Sequence, residues 1–193
     1  MIIGILALQG AFIEHKNILD KMKVQNILIK KKEQIRLCDG IILPGGESTV
    51  MSIIDKGILE EIKEFISINK PIWGTCAGLI LLAKNVIGKI DEQKTIGELD
   101  ILVERNFFGS QLQSFIEDID YPKEFQKNGQ FKAVFIRAPI IKEVYNNVKI
   151  LSTYQNKIIA VQQKNMLGTS FHPELINDYS WHEYFIELIN KTI

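Results

Sequence analysis

Three separated segments carry side chains that could act together in nucleophilic chemistry. The first is Pro71-Ile72-Trp73-Gly74-Thr75-Cys76-Ala77-Gly78-Leu79, a short apolar run that ends in small residues, presents one cysteine and passes into an apolar stretch of helical character. A strand-to-helix elbow lifts such a side chain out of a sheet, and the helix N-terminus behind it favours thiolate over thiol. The second is Ser170-Phe171-His172-Pro173-Glu174. Residues two apart in an extended chain point to the same side. Glu174 could then orient the His172 imidazole and stabilise its charged form, the logic of a triad whose third member is Glu. A strand-end histidine beside a solvated glutamate fits the same spacing. The third is Pro44-Gly45-Gly46-Glu47-Ser48. Paired glycines let backbone N–H groups turn toward a developing negative charge. The same residues also suit a plain turn, with Ser48 or Thr49 capping a following helix. No Lys-Ser/Thr pair follows the glycines, which argues against a phosphate loop.

Two arginines follow apolar strand-like runs: Arg105 in Val103-Glu104-Arg105-Asn106 and Arg137 in Phe135-Ile136-Arg137-Ala138-Pro139. A guanidinium at a sheet edge can bind a substrate carboxylate, or can simply form a surface ion pair. Cys38, before Asp39-Gly40, reads as structural. His182 falls off the apolar stripe of its helix and reads as solvated. His15 reads as a surface residue or a partner contact.

The elements that must position these groups alternate in type over the first half. Ile2–Leu8, Asn26–Ile29, Gly40–Leu43 and Pro71–Gly74 read as strands. Ala11–Lys23, Ile53–Ile68 (with a break near Gly57) and Ala77–Lys84 read as the helices between and after them. That alternation predicts an α/β fold with a mainly parallel central sheet. The second half turns to closely spaced strand-like runs: Leu99–Glu104, Gln113–Ile119, Lys132–Ile136, Val148–Tyr154, Lys157–Gln163 and Met166–Phe171. Tyr154-Gln155-Asn156-Lys157 and Lys164-Asn165 are the hairpin turns expected among them, so this half is an antiparallel extension. At the C-terminus Trp181, Tyr184, Phe185, Leu188 and Ile189 form a helical apolar stripe, with Ser180 and Glu183 spaced as a capping box. With no linker, repeat or low-complexity segment, residues 1–193 read as one domain.

Composition narrows the partners. Lys+Arg and Asp+Glu both number 23, so the formal net charge is zero, which argues against nucleic acid and against an anionic membrane. The Lys30-Lys31-Lys32 run reads as a solvated loop. No apolar stretch reaches the ~20 residues needed to span a bilayer. Two cysteines are too few for a disulfide framework and, with three scattered histidines, lack metal-ligand spacing. A reducing, cytoplasmic setting is expected, with no signal peptide at Met1-Ile2-Ile3-Gly4-Ile5.

Taken in order, Leu8-Gln9-Gly10, Pro44-Gly45-Gly46-Glu47-Ser48-Thr49, Gly74-Thr75-Cys76-Ala77-Gly78, Arg105-Asn106, Phe135-Ile136-Arg137-Ala138-Pro139 and Phe171-His172-Pro173-Glu174-Leu175 cover essentially the whole chain. Together they resemble the glutaminase subunits of two-component pyridoxal 5′-phosphate synthases (the PdxT/Pdx2/YaaE family), which are class I glutamine amidotransferases with a flavodoxin-like fold. The resemblance implies that Cys76 attacks the side-chain amide of L-glutamine, with His172 as base and acid and Glu174 behind it. It implies glutamine contacts from Gly46, Glu47, Ser48, Arg105, Ile136 and Arg137. An oxyanion hole is implied from Gly45, Gly46 and Ala77, completed by Gln9 on docking. It further implies a partner, a (β/α)8 barrel synthase subunit that receives the ammonia in a large hetero-oligomer for vitamin B6 biosynthesis. No metal or cofactor is implied. Ser110 departs from the arginine frequent in bacterial members. Two readings of other classes remain beside this one: a catalytically silent regulatory protein of the same fold, and a stand-alone cysteine hydrolase.

Overall fold

The structure, a computed structural model, describes residues 1–46, 54–88, 94–105 and 114–192. Among these, four parallel strands form one half of a ten-stranded sheet: β1 (Ile3–Leu6), β2 (Asn26–Ile29), β3 (Gly40–Leu43) and β4 (Ile72–Thr75), in the order β2-β1-β3-β4. Helices α1 (Phe12–Lys21), α2 (Lys56–Ser67), α3 (Ala77–Leu82) and α4 (Ser180–Asn190) cover it. The expected strands are short apolar runs because both faces of this sheet are covered. Alternate residues feed two separate cores. Ile41, Leu43 and Ile72 pack with Ile58, Ile62 and Phe65 of α2 and with Leu79 of α3. Ile3, Ile5, Ile42 and Trp73 pack with Leu19 of α1 and with Trp181, Phe185 and Ile189 of α4. Each of these buried aliphatic side chains contributes about 1.5–3 kcal/mol relative to exposure.

The sheet continues beyond β4 through β12 (Met166–Thr169), which pairs parallel to β4 in the register Thr169 to Thr75. β11 (Lys157–Gln163), β9 (Ile140–Val144) and β6 (Leu99–Glu104) follow in antiparallel order, and β5 (Ala83–Ile87) closes the edge parallel to β6. β10 (Lys149–Tyr154) pairs with β11 through the expected hairpin, where Gln155 and Asn156 have φ of 48° and 60°. A separate antiparallel pair, β7 (Ser114–Asp120) and β8 (Gln130–Ile136), lies on the core built around α4.

Several expectations are corrected. The helix after the elbow stops at Leu82, and Ala83 and Lys84 open β5. β9 has no counterpart among the expected strands. Glu183 and Ser180 do not form a capping box; Asp178 accepts from the Ser180 N–H at 2.9 Å and from its hydroxyl at 2.6 Å. The break near Gly57 is the start of α2, where Asp55 accepts from the Gly57 N–H at 2.8 Å.

The parallel strands end together at one edge of the sheet, where an open α/β sheet binds ligands. β3 delivers Gly45 there, β4 delivers Cys76, and β12 runs on to His172. Gly78 shows how tightly these are set. A Cβ on it would lie 1.9 Å from the Leu43 carbonyl oxygen, so only glycine lets α3 press against the end of β3.

Candidate active site

Cys76 sits between β4 and α3 with φ 47° and ψ −102°, a left-handed conformation that a residue with a side chain rarely adopts. The Cys76 N–H donates to the Thr169 carbonyl at 2.8 Å, which fixes the elbow to β12. The thiol emerges beneath β8, its Sγ 3.9 Å from the Ile136 carbonyl oxygen. Ala77 is the first residue of α3, so its N–H has no carbonyl to pair with inside the helix.

The chain leaves β12 at Thr169 and reaches His172, whose N–H donates to the Val134 carbonyl of β8 at 2.9 Å. A single 3-10 turn, Pro173–Leu175, follows. This turn, rather than the extended segment expected, brings Glu174 Oε1 to 2.7 Å from His172 Nδ1. Both side chains are buried. With Nδ1 occupied, Nε2 is the ring nitrogen left for the thiol. Burial alone would lower the His172 pKa, but the charge of Cys76 and hydrogen bonds with Cys76 and Glu174 outweigh it and push it up to about 10. The arrangement therefore favours an imidazolium at His172 facing the sulfur of Cys76.

The glycine loop meets this pair directly. A Cβ on Gly45 would lie 2.3 Å from His172 Cε1 and 3.1 Å from Cys76 Cβ, so a residue without a side chain is required. The Gly45 N–H is committed: it donates to Thr75 Oγ1 at 2.9 Å. Gly45 was expected to offer its amide to an oxyanion; here that N–H is held within the fold. Its carbonyl accepts from the Ala11 N–H at 3.0 Å, so the turn after β1 braces the loop. Gly46 is exposed beside it, and a Cβ there would lie 3.2 Å from Gln9 Nε2. Gln9 thus lies beside Gly46 of the loop.

Ile136 and Arg137 are adjacent to the thiol through the Ile136 carbonyl; Arg137 is exposed, with φ 44°. Arg105 is held elsewhere along the sheet edge. Its N–H donates to Ile87 O at 3.3 Å and its Nη1 to Gly88 O at 3.3 Å, both at the end of β5. Glu47, Ser48 and Ser110 lie outside the described residues. Cys38 is structural as expected: it is buried, Sγ donates to the Gln34 carbonyl at 3.3 Å, and burial pushes its thiol up to about 11. Among the described residues no group of three or more His, Cys, Asp or Glu could hold a metal ion, and no helix is long and apolar enough to cross a membrane.

A sequence model of the SNO glutamine amidotransferase family matches residues 5–191, nearly the whole chain. The chain belongs to this family. Among family relatives, a pyridoxal 5′-phosphate synthase subunit PdxT from Geobacillus sp. (strain WCH70) is 44% identical, over 100% of this chain and 98% of that protein. A probable pyridoxal 5′-phosphate synthase subunit PDX2 from Arabidopsis thaliana is 41% identical, over 99% of this chain and 87% of that one. A crystal structure of a glutamine amidotransferase superposes with a TM-score of 0.90 at 38% identity, covering 97% of this chain and 98% of that one. The PurLQS structure from Thermotoga maritima (TM-score 0.67, 18% identity) shares the fold alone.

Two histidines had been misplaced by sequence reasoning. His15, read as a surface residue or a partner contact, and His182, read as solvated, are 0% and 1% exposed and lie together behind Glu174. A signal was available for His15. It precedes the buried Ile18 and Leu19 at helical spacing, on the inward face of α1.

Proposed function

We propose that residues 1–193 form a single glutaminase domain that hydrolyses L-glutamine to L-glutamate and ammonia. The observation that carries this reading is the buried His172–Glu174 contact of 2.7 Å beside a cysteine held at a strained strand-to-helix elbow.

In this mechanism the Cys76 thiolate adds to the side-chain amide carbon of glutamine. The negative oxygen of the tetrahedral intermediate is held by backbone N–H groups of Ala77 and Gly46. Gly45 keeps the loop in place, and Gln9 lies beside it. Losing one such donor typically costs about 3 kcal/mol of transition-state stabilisation. The His172 imidazolium gives its proton to the departing nitrogen, the C–N bond breaks, and ammonia leaves a glutamyl thioester on Cys76. Neutral His172 then takes a proton from water, whose oxygen attacks the thioester; glutamate departs and the thiolate is restored. Glu174 holds the imidazole in one orientation and balances its charge in both half-reactions. Arg137, with Ile136, borders the nucleophile and supplies a carboxylate partner for the amino-acid head group. Arg105, Glu47 and Ser48 complete the glutamine contacts.

The relatives are named as subunits of pyridoxal 5′-phosphate synthase. We assign the ammonia to a barrel-type synthase partner in the same pathway, within a cytoplasmic hetero-oligomer. The test is ammonia release from glutamine with and without that partner. Turnover stimulated by the partner and abolished in Cys76→Ala supports the proposal. Glutamine binding without turnover in either condition points to a silent regulatory protein. Ester or peptide cleavage indifferent to the partner points to a stand-alone hydrolase.

A further inference from the structure

The second oxygen of Glu174 is buried and makes no hydrogen bond among the described residues. The group that faces it is His15 Nε2, at 3.5 Å. The same nitrogen lies 3.4 Å from Thr75 Oγ1, the atom that accepts the Gly45 N–H. The other nitrogen of His15 lies 2.9 Å from His182 Nε2. His15 comes from α1 and His182 from α4, and Trp73 of β4 packs edge-on against both rings. Two helices far apart in sequence thus bring a pair of fully buried imidazoles to the back of the His172–Glu174 pair.

We infer that His15 is a positioning residue for Glu174 and for the Gly45 turn, and that His182 sets the tautomer His15 needs for it. The inference rests on the glutaminase reading of Cys76, His172 and Glu174. Its chemistry follows from donor and acceptor counting. An ionised carboxylate oxygen only accepts, so His15 must carry its hydrogen on Nε2 to face Glu174 favourably. His15 Nδ1 is then bare and accepts from His182 Nε2–H. His182 Nδ1 is left bare as well, and among the described residues it has no partner. The opposite assignment would set a lone pair of His15 against the carboxylate.

Neutrality matters as much as the tautomer. A charged His15 would compete with His172 for the charge of Glu174. A neutral N–H dipole steadies the carboxylate without cancelling it. The groups facing His15 are His182, His172, Glu174 and Thr75, and burial together with the two other histidines holds its pKa well below 6.5. Burial likewise holds His182 at about 3.

The test compares two variants at position 15. Gln can present an N–H close to the place of Nε2; Leu cannot. In the complex with the synthase partner, His15→Leu should lower kcat by about 10–100-fold, the range for partners that orient a reactive imidazole, with KM little changed. His15→Gln should restore most of it. In the His15→Gln background, His182→Leu should have no further effect, since the tautomer it sets is no longer used. Unfolding midpoints of all variants separate these effects from misfolding. Two readouts need no turnover. Side-chain ¹⁵N NMR of the unsubstituted protein should show His15 protonated on Nε2 and neutral at pH 7. Alkylation of Cys76 by iodoacetamide near neutral pH should slow in folded His15→Leu and not in His15→Gln. Equal kcat in folded Leu and Gln variants, or a hydrogen on His15 Nδ1, overturns the inference. If Cys76→Ala retains turnover while the NMR result holds, the glutaminase reading fails and the histidine tautomers stand.

Discussion

Thr75 Oγ1 accepts the Gly45 N–H at 2.9 Å, one residue before the chain reaches Cys76. The strand that leads to Cys76 and the turn that faces it are therefore joined by the side chain of the residue just before the cysteine. Thr75→Val keeps the shape and removes the acceptor. Stranding a buried N–H costs about 1–3 kcal/mol, which denaturant unfolding will register. Glutamine turnover should fall as well, because the Gly45–Gly46 turn loses its anchor. Unchanged turnover would mean that the Ala11–Gly45 bond holds the turn unaided.

Gly45→Ala is the sharper test of the turn. The added methyl would meet His172 Cε1 at 2.3 Å and Nδ1 at 2.9 Å, so either the loop or the imidazole must move. Activity is expected to fall at least about 100-fold, the scale for loss of a positioned acid–base group, while circular dichroism still reports a folded protein. Near-normal turnover would show that the loop yields without disturbing the base.

The pH dependence has two limbs of opposite sign. His172 has a folded-state pKa of about 10, above its ordinary 6.5. The stability it contributes is complete below pH 6.5 and is lost as pH rises through 10. In the proposed mechanism that imidazolium protonates the departing nitrogen, so kcat should fall as pH rises through 10. Glu174→Gln removes a carboxylate that raises this pKa, and its alkaline limb should begin at lower pH. Titration of His172 by NMR in both proteins checks this directly.

On the acid side the sign reverses. Burial keeps His182 neutral down to about 3, whereas the unfolded chain takes up its proton near 6.5. Stability is complete above pH 6.5 and declines as pH falls toward 3, by up to about 1.4 kcal/mol per pH unit for each such proton. His182→Gln should flatten the slope of unfolding free energy between pH 6.5 and 4. A slope equal to that of the unsubstituted protein would show that the folded chain accommodates the charge.

Asp178→Ala removes the group that accepts from the Ser180 N–H and hydroxyl and from the Tyr121 hydroxyl. A loss of about 0.5–2 kcal/mol is expected, in line with other helix caps. Chemical denaturation gives the number. Turnover per folded molecule should not change, since Asp178 has no contact with the catalytic pair.

The parallel half of the fold was legible because its strands are mostly apolar, with β3 ending at Pro44 and β4 at the elbow. Asn26–Ile29 and Gly40–Leu43 were read to the residue. β9 was not legible. Ile140-Ile141-Lys142-Glu143-Val144 has only its first two residues buried, and its place is settled by pairing with β6 and β11. The cysteine, the His-Pro-Glu segment and the glycine pair stood out by residue type. What they lacked was any sign of the second oxygen of Glu174, or of the commitment of the Gly45 N–H. His182 illustrates the reason. It lies outside the stripe of apolar residues on α4, yet its partner is on α1, 167 residues away. Periodicity along one helix carries no information about a polar neighbour on another.

Cys76 sits at φ 47°, where glycine is at ease and any side chain is under strain. Catalysis and thermodynamic stability are consequently in opposition at a single position. Under the proposed mechanism, replacement by glycine would abolish the reaction and relax the backbone at the same stroke. For a chain that no longer uses the chemistry, that substitution is downhill in stability, as one at Arg137, with φ 44°, would also be.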